Sequence, residues 1–468
     1  MTDFTTDKEG FRDSIATMDE KGKRVWIYPK KPKGRLHRLR ILVAWILLGV
    51  LFLTPFIQVN SQPLILLNFF ERKFIIFGAI FWPQDTHLLI FVLLIFVVFI
   101  ILFTVVFGRV WCGWACPQTI FMEMVFRKIE YWIEGDAGQQ RKLAQAPWNK
   151  EKIIKKGSKH LVFMAIALLI SHTVMAYLIG INQVVEIVSR PPTENGAGFL
   201  GLLMFTGIFY GVFAFLREQA CTVICPYGRL QGVMLDKNSI VVAYDWLRGE
   251  PRGKIRKNED TSALGDCIDC HLCVHVCPTG IDIRNGTQME CVNCTACIDA
   301  CDEVMEKVNR PKGLIRFDSY NGIAEKKKLT LSPRIIAYAA VLLALVGALV
   351  YLLYSREPIE ATITRVPGTM YQEQEDGRIS NLYNVQLINK TFEDAQIEIR
   401  LTDKKGEIKI VGAEGLTLSG QARKESTFFI ILDRKDIKTN STRLNIEVYA
   451  DGEVLDKIET RFMGPVNN

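Results

Sequence analysis

No cysteine lies beyond Cys301 in this chain of 468 residues, although twelve cysteines are present and the first is Cys112. A disulfide scaffold would spread its cysteines differently, so clustering at short, fixed spacings indicates metal ligation. The last third of the chain therefore cannot contain a stabilising disulfide. We also expect no secretory signal, because the first forty residues are polar and basic and contain no cleavable apolar core.

Charged side chains are missing from five long apolar runs. Each run approaches the roughly 20 residues needed to cross a bilayer, and a buried soluble helix of that length would normally carry charges on one face. Hydrophobic residues make up 49% of the chain and the mean hydropathy is +0.15, which indicates membrane spans joined to soluble parts. The predicted spans are Ile41–Val59, Leu88–Phe107, Leu161–Gly180, Phe199–Leu216 and Ile335–Tyr354.

The distribution of Lys and Arg predicts the orientation of the spans. The formal net charge is +7, and the basic residues concentrate before the first span and between the second and third. The loop after span one has only Arg72 and Lys73, and the loop after span three only Arg190. Basic loops stay in the cytoplasm, so this pattern is better explained by membrane topology than by nucleic-acid binding. We expect a bacterial inner-membrane protein with residues 217–334 in the cytoplasm and its C-terminal tail in the periplasm.

Spans one to four are predicted to form two similar halves of two spans each. Gly108-Arg-Val-Trp-Cys-Gly-Trp-Ala-Cys-Pro117 follows span two, and Arg217-Glu-Gln-Ala-Cys-Thr-Val-Ile-Cys-Pro226 follows span four. Repeated halves in membrane proteins commonly place their sites where the repeats meet, so both Cys-x3-Cys-Pro pairs should face each other at the inner membrane surface. After the first pair, Thr119–Ile133 is predicted to be an amphipathic helix lying in the membrane interface.

The remaining eight cysteines have the spacing of a bacterial two-cluster ferredoxin. Each of two runs reads Cys-x2-Cys-x2-Cys-x3-Cys, and the fourth cysteine of each run is expected to bind the other cluster. Paired Cys-x2-Cys is also zinc spacing, but two complete four-cysteine runs favour two 4Fe–4S clusters. The predicted ligands are Cys267, Cys270, Cys273 and Cys301 for the first cluster, and Cys291, Cys294, Cys297 and Cys277 for the second.

The four cysteines of the repeated motif, Cys112, Cys116, Cys221 and Cys225, are the candidate acceptor of electrons from these clusters and hence the candidate catalytic residues. We call them the membrane quartet. Four thiolates at a membrane boundary can hold soft Cu(I), zinc or another iron–sulfur cluster, and the alternative is cysteines packed as small hydrophobes. His172 in span three is a further candidate copper ligand, although a neutral imidazole bonded to a neighbouring helix would explain it equally well. Methionines in the apolar segments are more often packing residues than thioether ligands.

The tail from about Ile359 to Asn468 alternates apolar and polar residues as strands do. Turn signals such as Asp451-Gly452 separate the runs. Several short strands over roughly 110 residues predict an immunoglobulin-like β-sandwich. Nothing in this region resembles a catalytic site, so we expect a docking or structural domain.

Taken together, the Trp111-Cys-Gly-Trp-Ala-Cys-Pro117 stretch, the second Cys-x3-Cys-Pro and the ferredoxin runs resemble the cytochrome c oxidase accessory protein family of the CcoG/FixG/RdxA type. The resemblance covers nearly the whole chain, including the late single span and the Ig-like tail. It implies reduction of Cu(II) to Cu(I) for assembly of cbb3-type cytochrome oxidase, with the membrane quartet handling copper. It also implies oxidase assembly factors or copper chaperones as partners, and a cytoplasmic electron donor that the sequence does not name.

The sequence thus predicts a multi-domain membrane protein: an α-helical transmembrane bundle of five spans, a two-cluster ferredoxin-like α+β insert and a C-terminal Ig-like β-sandwich. Two other functions remain open, namely an electron conduit with a quinone or protein partner, as in NapH-type proteins, and a copper chaperone or assembly scaffold without turnover. The expected domains are a basic segment (1–40), a four-span domain (41–234), a ferredoxin-like domain (235–334), a fifth span (335–354) and a β domain (355–468).

Overall fold

The computed structural model describes residues 16–19, 21–59, 62–77, 79–82, 85–254, 263–326, 332–368, 370–403, 405–412, 416–437 and 439–465. The chain forms two compact units. The first comprises the residues up to Ile57, Ile65–Glu71 and Leu89–Ala348. The second comprises Gln58–Leu64, Arg72–Leu88 and Leu349–Asn468.

Five helices in the described chain are long and apolar enough to cross a membrane, which confirms the five predicted spans. Spans one and three begin earlier than their apolar runs, because the charged turns at Arg35–Arg40 and Lys150–His160 continue the same helices. The five helices are Arg35–Leu53, extended by a 3₁₀ turn at Thr54–Phe56; Thr86–Phe107; Lys150–Ile179; Gly196–Gly211, extended by a π-helical turn at Val212–Leu216; and Pro333–Tyr354.

The segment after the first Cys-x3-Cys-Pro motif packs one side into the first unit and leaves Trp132 exposed on the other. It runs through Pro117–Ile120, a π-helical stretch at Phe121–Phe126 and Arg127–Ile133. The Phe126 ring is fully buried, stacks on Phe213 with centroids 4.5 Å apart and meets Phe163 edge-on at 4.7 Å. The predicted helix at Thr119–Ile133 is therefore present but interrupted by a π-helical stretch, and one side of it packs against spans one, three and four. Its location in the membrane interface stays a prediction.

The ferredoxin module is bracketed by two antiparallel strands, Val241–Tyr244 and Ile315–Asp318, with Val241 opposite Asp318. Val242, Ile283, Ile298, Met305 and Leu314 form its apolar core together with several of the cysteines. The remaining helices of the first unit are Val110–Trp114, Ala137–Gln145, Ile181–Ser189, Ala220–Ile224 (π), Pro226–Met234, Trp246–Gly249, Leu272–His275, Ile283–Asn285 (3₁₀), Ala296–Lys307 and Tyr320–Glu325. This unit also contains the short strand Ile65–Asn68.

The second unit is built around two antiparallel sheets, in agreement with the predicted β-sandwich. One sheet has the strand order Gly406–Ile410, Arg423–Leu432, Ile379–Asn389, Ile359–Arg365, with Gln372–Glu373 also on Ile379–Asn389. The other has the order Leu416–Leu418, Ala395–Leu401, Ser441–Ala450, Glu453–Met463. Its core includes the stacked rings of Tyr383 and Phe428, 5.6 Å apart, and the predicted inward-facing residues of these strands.

Shorter elements complete the second unit. Gln58–Val59 pairs with Gln62–Pro63, and Lys73–Ile76 pairs with Ala79–Phe81. Beside the second hairpin, the buried Asp85 carboxylate accepts from Arg356 at 2.6 Å and from Lys390 at 3.0 Å. These two ion pairs tie the residues just before span two to the β domain within this unit.

Candidate metal centres and the membrane quartet

The eight ferredoxin cysteines surround two cavities in the sets that their spacing predicts. Cys267, Cys270, Cys273 and Cys301 line the first cavity. The second is lined by Cys277, Cys291, Cys294 and Cys297, with Cys273 also at its wall. The fourth cysteine of each run thus reaches the cavity of the other run, as expected for crossed ligation of two clusters.

The two ligand loops repeat the same backbone conformation. Asp269 and His271 flank Cys270 with φ of 51° and 55°, and Asn293 and Thr295 flank Cys294 with φ of 52° and 66°. Left-handed conformations are uncommon for residues other than glycine and cost free energy, so they persist where the surroundings fix them. Here they wind each loop around its cavity, so that successive thiols point inward. This internal repeat is the structural counterpart of the repeated cysteine spacing.

The donor set and its geometry fit 4Fe–4S clusters. Among the described residues, no three His, Cys, Asp or Glu side chains converge as a single bound ion would require. Ligands of a four-iron cube lie at its corners and not around one point, so a polynuclear cluster fits these cavities better than zinc. Burial raises the pKa of the Cys273, Cys291 and Cys301 thiols to about 12, so bound iron is what would hold them as thiolates.

The two cavities differ in exposure. Cys270 of the first set is exposed to solvent, whereas Cys294 at the equivalent position of the second set is buried. Next to Cys270, the half-exposed His271 ring accepts a hydrogen bond from Arg284 at Nδ1 over 2.8 Å, and Arg284 also pairs with Asp269 at 2.6 Å. His271 therefore belongs to the surface around the first cluster site.

The membrane quartet is built by two copies of one local fold. Cys116 and Cys225 each precede a proline that begins a helix, at Pro117–Ile120 and Pro226–Met234. Proline is favoured at the first helical position because its missing N–H would have no partner there. Each Cys-Pro pair therefore ends one helical segment and starts the next, which turns the chain back at the level of the quartet.

Contacts cross between the two halves of the repeat. The Cys112 thiol of the first half donates to Gln231 Oε1 of the second half at 3.2 Å. The Cys221 sulfur of the second half lies 4.0 Å from Thr119 Oγ1 of the first. Burial, followed by the neighbouring Cys116, raises the pKa of both Cys112 and Cys221 to about 12. The quartet is therefore a half-buried, mutually interacting thiol group, and not four scattered hydrophobic residues.

The quartet also contacts the second cluster site directly. Cys112 packs against the apolar cluster of Val276, Val292, Cys294, Ala296 and Ala300. The next residue, Gly113, approaches the Val292 carbonyl so closely that an added Cβ would lie less than 3.0 Å from it. No side chain can occupy position 113 without moving one of these two backbones. The loop of the first Cys-x3-Cys motif is thus seated on the loop that carries Cys294.

Two cations flank the quartet in the sequence, but they have different partners in the structure. Arg109 lies near Cys112, where its positive charge opposes the rise in the thiol pKa, and it donates to the Met289 carbonyl. Arg217 instead forms a buried two-point pair with Glu130, at 2.6 and 2.8 Å. Only Arg109 can therefore favour the thiolate form of the quartet.

Other sequence candidates lie elsewhere. His172 is thirteen residues beyond Lys159, which pairs with Glu134 at 3.0 Å, so it lies about 20 Å further along span three. The His172 Nδ1 bonds the Leu168 carbonyl at 2.7 Å, and the side chain lines an apolar cavity to which none of the quartet contributes. Met122 and Met124 pack in the apolar core. The structure does not bring His172 to the quartet.

Sequence reasoning missed two residues at the quartet. Gln231 is fully buried and accepts from the Cys112 thiol, and Thr119 lies beside Cys221. Both follow a Cys-Pro pair, in the helix that each proline starts. They do not occupy equivalent positions, since Thr119 is two residues after its proline and Gln231 is five residues after its own, so the repeat in the sequence does not reveal them.

Comparisons with known proteins agree with this architecture. Family sequence models match residues 216–320 as a 4Fe-4S dicluster domain, residues 89–136 as a 4Fe-4S binding domain and residues 349–465 as the IG-like fold at the C-terminus of FixG. The second match includes Cys112 and Cys116. The sequence is thus similar to iron–sulfur domains both in its ferredoxin module and around the first membrane motif.

Among curated proteins, the nitrogen fixation protein FixG of Rhizobium meliloti is 32% identical, over 81% of this chain and 79% of that protein. Protein RdxA of Cereibacter sphaeroides is 33% identical over 84% of this chain and 86% of its own. The ferredoxin-type protein NapH of Haemophilus influenzae is 25% identical over 47% of this chain and 67% of its own. A crystal structure of a FixG-related protein from Vibrio parahaemolyticus covers 23% of this chain at 14% identity, and its TM-score of 0.20 is too low to support an argument.

Proposed function

The chain belongs to the FixG and RdxA family of membrane iron–sulfur electron-transfer proteins, and we propose that it reduces Cu(II) to Cu(I) at the membrane quartet. The cuprous ion would serve assembly of a cbb3-type cytochrome c oxidase, with copper chaperones or assembly factors as partners. The observation that carries the proposal is the packing of Cys112 against the loop of Cys294. It joins a thiol site for a soft metal to a site for an electron carrier.

The arrangement of the chain supports a direction for the electrons. When bound, 4Fe–4S clusters supply one-electron transfer. The first site is exposed at Cys270, where a soluble donor can approach, and the second is buried beside Cys112. Electrons taken up at the exposed site would therefore leave next to the quartet.

The chemistry of the quartet favours the reduced product. Each Cu(II) takes one electron and becomes Cu(I), which is the softer ion and prefers thiolate ligands. Metal binding converts thiols to thiolates and releases their protons, which offsets the raised pKa of Cys112 and Cys221. The positive charge of Arg109 beside Cys112 also favours the thiolate form. We leave His172 out of the proposed copper site because it lies elsewhere in span three.

A second candidate has an observation of its own in favour. The match of residues 89–136 to a 4Fe-4S binding domain includes Cys112 and Cys116. The four quartet cysteines, like the ferredoxin ligands, do not converge on one point. A further cluster held by the quartet would make the chain an electron conduit to a quinone or protein partner, without copper as substrate.

The proposed setting is the bacterial inner membrane. The basic N-terminal segment and the ferredoxin module would face the cytoplasm, where the electron donor would be, and the β domain would face the periplasm. Reporter fusions at residue 300 and at residue 440 should give cytoplasmic and periplasmic signals, respectively. The same signal from both fusions would mean that the helix between residues 300 and 440 does not cross the membrane, which contradicts this orientation.

The reductase proposal is tested by single-turnover copper reduction. The purified protein is reduced with dithionite, desalted anaerobically and mixed with Cu(II) and a Cu(I)-specific chelator dye. We expect rapid formation of Cu(I), and at least a 100-fold slower reaction in the Cys112→Ala/Cys116→Ala and Cys221→Ala/Cys225→Ala variants. Iron content and dithionite bleaching should stay at the parental level in both variants.

The alternatives give different outcomes in the same assay. A chaperone or scaffold would bind copper without reoxidation of the iron–sulfur absorbance. A conduit with a further cluster would lose iron in both double variants. Parental rates in both variants would exclude the quartet as the reduction site.

A further inference from the structure

Two adjacent cavities lie in the first unit. The polar chamber has a volume of about 400 Å³ and is lined by Lys31, His37, Arg40, Glu123, Lys128 and Tyr131, among others. An apolar groove of about 570 Å³ lies next to it, between span one, the 121–129 segment and span three. Ile41, Met124 and Lys128 line both cavities, so the chamber and the groove share a wall. Volumes of roughly 300–1,000 Å³ are typical of ligand sites.

The polar chamber has an excess of positive charge. Its carboxylate, Glu123, is already paired with Arg127 at 2.9 Å. Within the part of the chain that the structure describes, no carboxylate oxygen lies within 4.0 Å of the charged groups of Lys31, Arg40 or Lys128. The Arg40 side chain is only 4% exposed, and its Nη2 has no hydrogen-bond partner. A buried guanidinium with a free N–H is costly unless something accepts from it.

The three cations also repel one another. The pKa of Lys128 is lowered by its burial and then by the charges of Lys31 and Arg40. An anion in the chamber would relieve that repulsion and satisfy the free Arg40 N–H. The groove below the chamber is lined by residues such as Ala44, Leu48 and Phe52 and is suited to a hydrocarbon chain.

We propose that an anionic phospholipid occupies this space, with its phosphate among Lys31, Arg40 and Lys128 and an acyl chain in the groove. Basic pockets between spans are known to take acidic lipid headgroups, and the charge of this chamber favours such a lipid over a zwitterionic or uncharged one. The exposed Trp45 and Trp132 rings line the groove and the chamber, respectively, as expected at a membrane interface.

Arg40 and His37, which line the chamber, also link the first Cys-x3-Cys motif to the ferredoxin module. Arg40 Nε donates to the Gly113 carbonyl, inside the first Cys-x3-Cys motif, at 2.7 Å. The backbone N–H groups of Leu36 and His37 donate to Asp299, between Cys297 and Cys301, at 3.1 and 2.7 Å. A bound lipid would therefore stabilise the segment that joins the quartet to the second cluster site. The inference does not depend on copper as the substrate.

The test uses the full-length protein after delipidation in detergent, titrated with dioleoyl phosphatidylglycerol or dioleoyl phosphatidylcholine and read by native mass spectrometry. We expect one phosphatidylglycerol per chain, bound at least ten-fold more tightly than phosphatidylcholine. The Lys31→Gln/Lys128→Gln variant should lose this preference, and Lys128→Arg should keep it. Lys142→Gln/Lys150→Gln is the matched control, because both lysines are exposed and line neither cavity.

Four results would overturn the proposal. Equal affinity of the parental protein for the two lipids would remove the role of charge, and an unchanged preference in the Lys31/Lys128 variant would place the lipid elsewhere. Displacement by glycerol 3-phosphate would indicate a phosphate site that needs no acyl chain. Displacement by a prenylated quinone at equal concentration would indicate a redox lipid instead. None of these readouts uses copper reduction, so failure here is separate from failure of the reductase proposal.

Discussion

The two cluster sites of the ferredoxin module have the same ligand spacing and the same loop conformation, but they have different surroundings. The first presents Cys270 to solvent, with the Arg284, Asp269 and His271 side chains around it. The second is enclosed, with Cys294 buried in an apolar cluster against which Cys112 of the membrane quartet packs. Burial and local charge set the potentials of iron–sulfur clusters, so equal ligands need not give equal roles. In the proposed function, this difference would make the exposed site the entry point for electrons and the buried site the exit.

The largest effect should come from removing one site or the other. In the single-turnover assay, Cys294→Ser should reduce the yield of Cu(I) to background, because the site beside the quartet is lost. Cys270→Ser should still yield about one Cu(I) per chain, against about two for the parental protein, since each cube exchanges one electron. Iron analysis must show about four iron atoms lost in each variant. Equal yields from the two variants would contradict the division of roles.

The next effect comes from Gly113→Ala, which alters the contact and leaves every cysteine in place. The added methyl group meets the Val292 carbonyl and pushes the quartet loop away from the second cluster site. We expect Cu(I) formation to slow by about ten-fold while iron content stays unchanged. Gly138→Ala is the control, because nothing lies within 4 Å of a Cβ at that helical position. A parental rate in Gly113→Ala would show that the close approach is not needed for electron transfer.

A smaller difference is expected between the rates at which a soluble oxidant destroys the two clusters. Excess ferricyanide should destroy the first cluster several-fold faster than the second, because Cys270 is the exposed one of the eight ferredoxin cysteines. EPR spectra recorded over time would follow the signals of the two clusters. The spectra of the Cys270→Ser and Cys294→Ser variants would show which signal belongs to which cluster. Simultaneous decay in the parental protein would mean that exposure of Cys270 does not distinguish the sites.

The smallest effect should come from Gln231→Leu. This change removes the hydrogen-bond acceptor of the Cys112 thiol without touching a cysteine. A neutral hydrogen bond contributes about 1 kcal/mol, and this one stabilises the metal-free thiol because metal binding removes its proton, so we expect the copper affinity of the quartet to rise by roughly two- to ten-fold. Competition with a Cu(I) chelator of known affinity measures it, and Gln231→Glu, which keeps an acceptor, should not show this rise.

The sequence was sufficient for the architecture because its signals are strong and local. Five uncharged runs predicted the spans, and the repeated cysteine spacing predicted the ligand sets that line the two cavities. The alternation of residues such as Val385 and Leu387 likewise predicted the buried face of the β-sandwich. Each of these patterns repeats within a single element or loop, so no knowledge of tertiary packing was needed.

Long-range packing could not be predicted in the same way. The 119–133 segment has the pattern of an interfacial helix, yet Phe126 is buried between Phe163 and Phe213, which lie far away in sequence. Arg217 shortly precedes its Cys-x3-Cys pair, as Arg109 does, but Glu130 rather than a thiol is its partner. Glycine is needed at position 113 because of the Val292 carbonyl, which lies nearly 180 positions later in the sequence. Contacts of this kind depend on how distant segments pack against one another, and they cannot be predicted from a single sequence.

The central claim is that the quartet handles copper while the ferredoxin module carries all the iron. Metal analysis of the quadruple variant Cys112→Ala/Cys116→Ala/Cys221→Ala/Cys225→Ala, purified anaerobically beside the parental protein and loaded with Cu(I), tests it most directly. The account predicts about eight iron atoms per chain in both proteins, as two cubes require, and loss of bound copper in the variant only. A fall from about twelve iron atoms to about eight, or equal copper in both proteins, would contradict it.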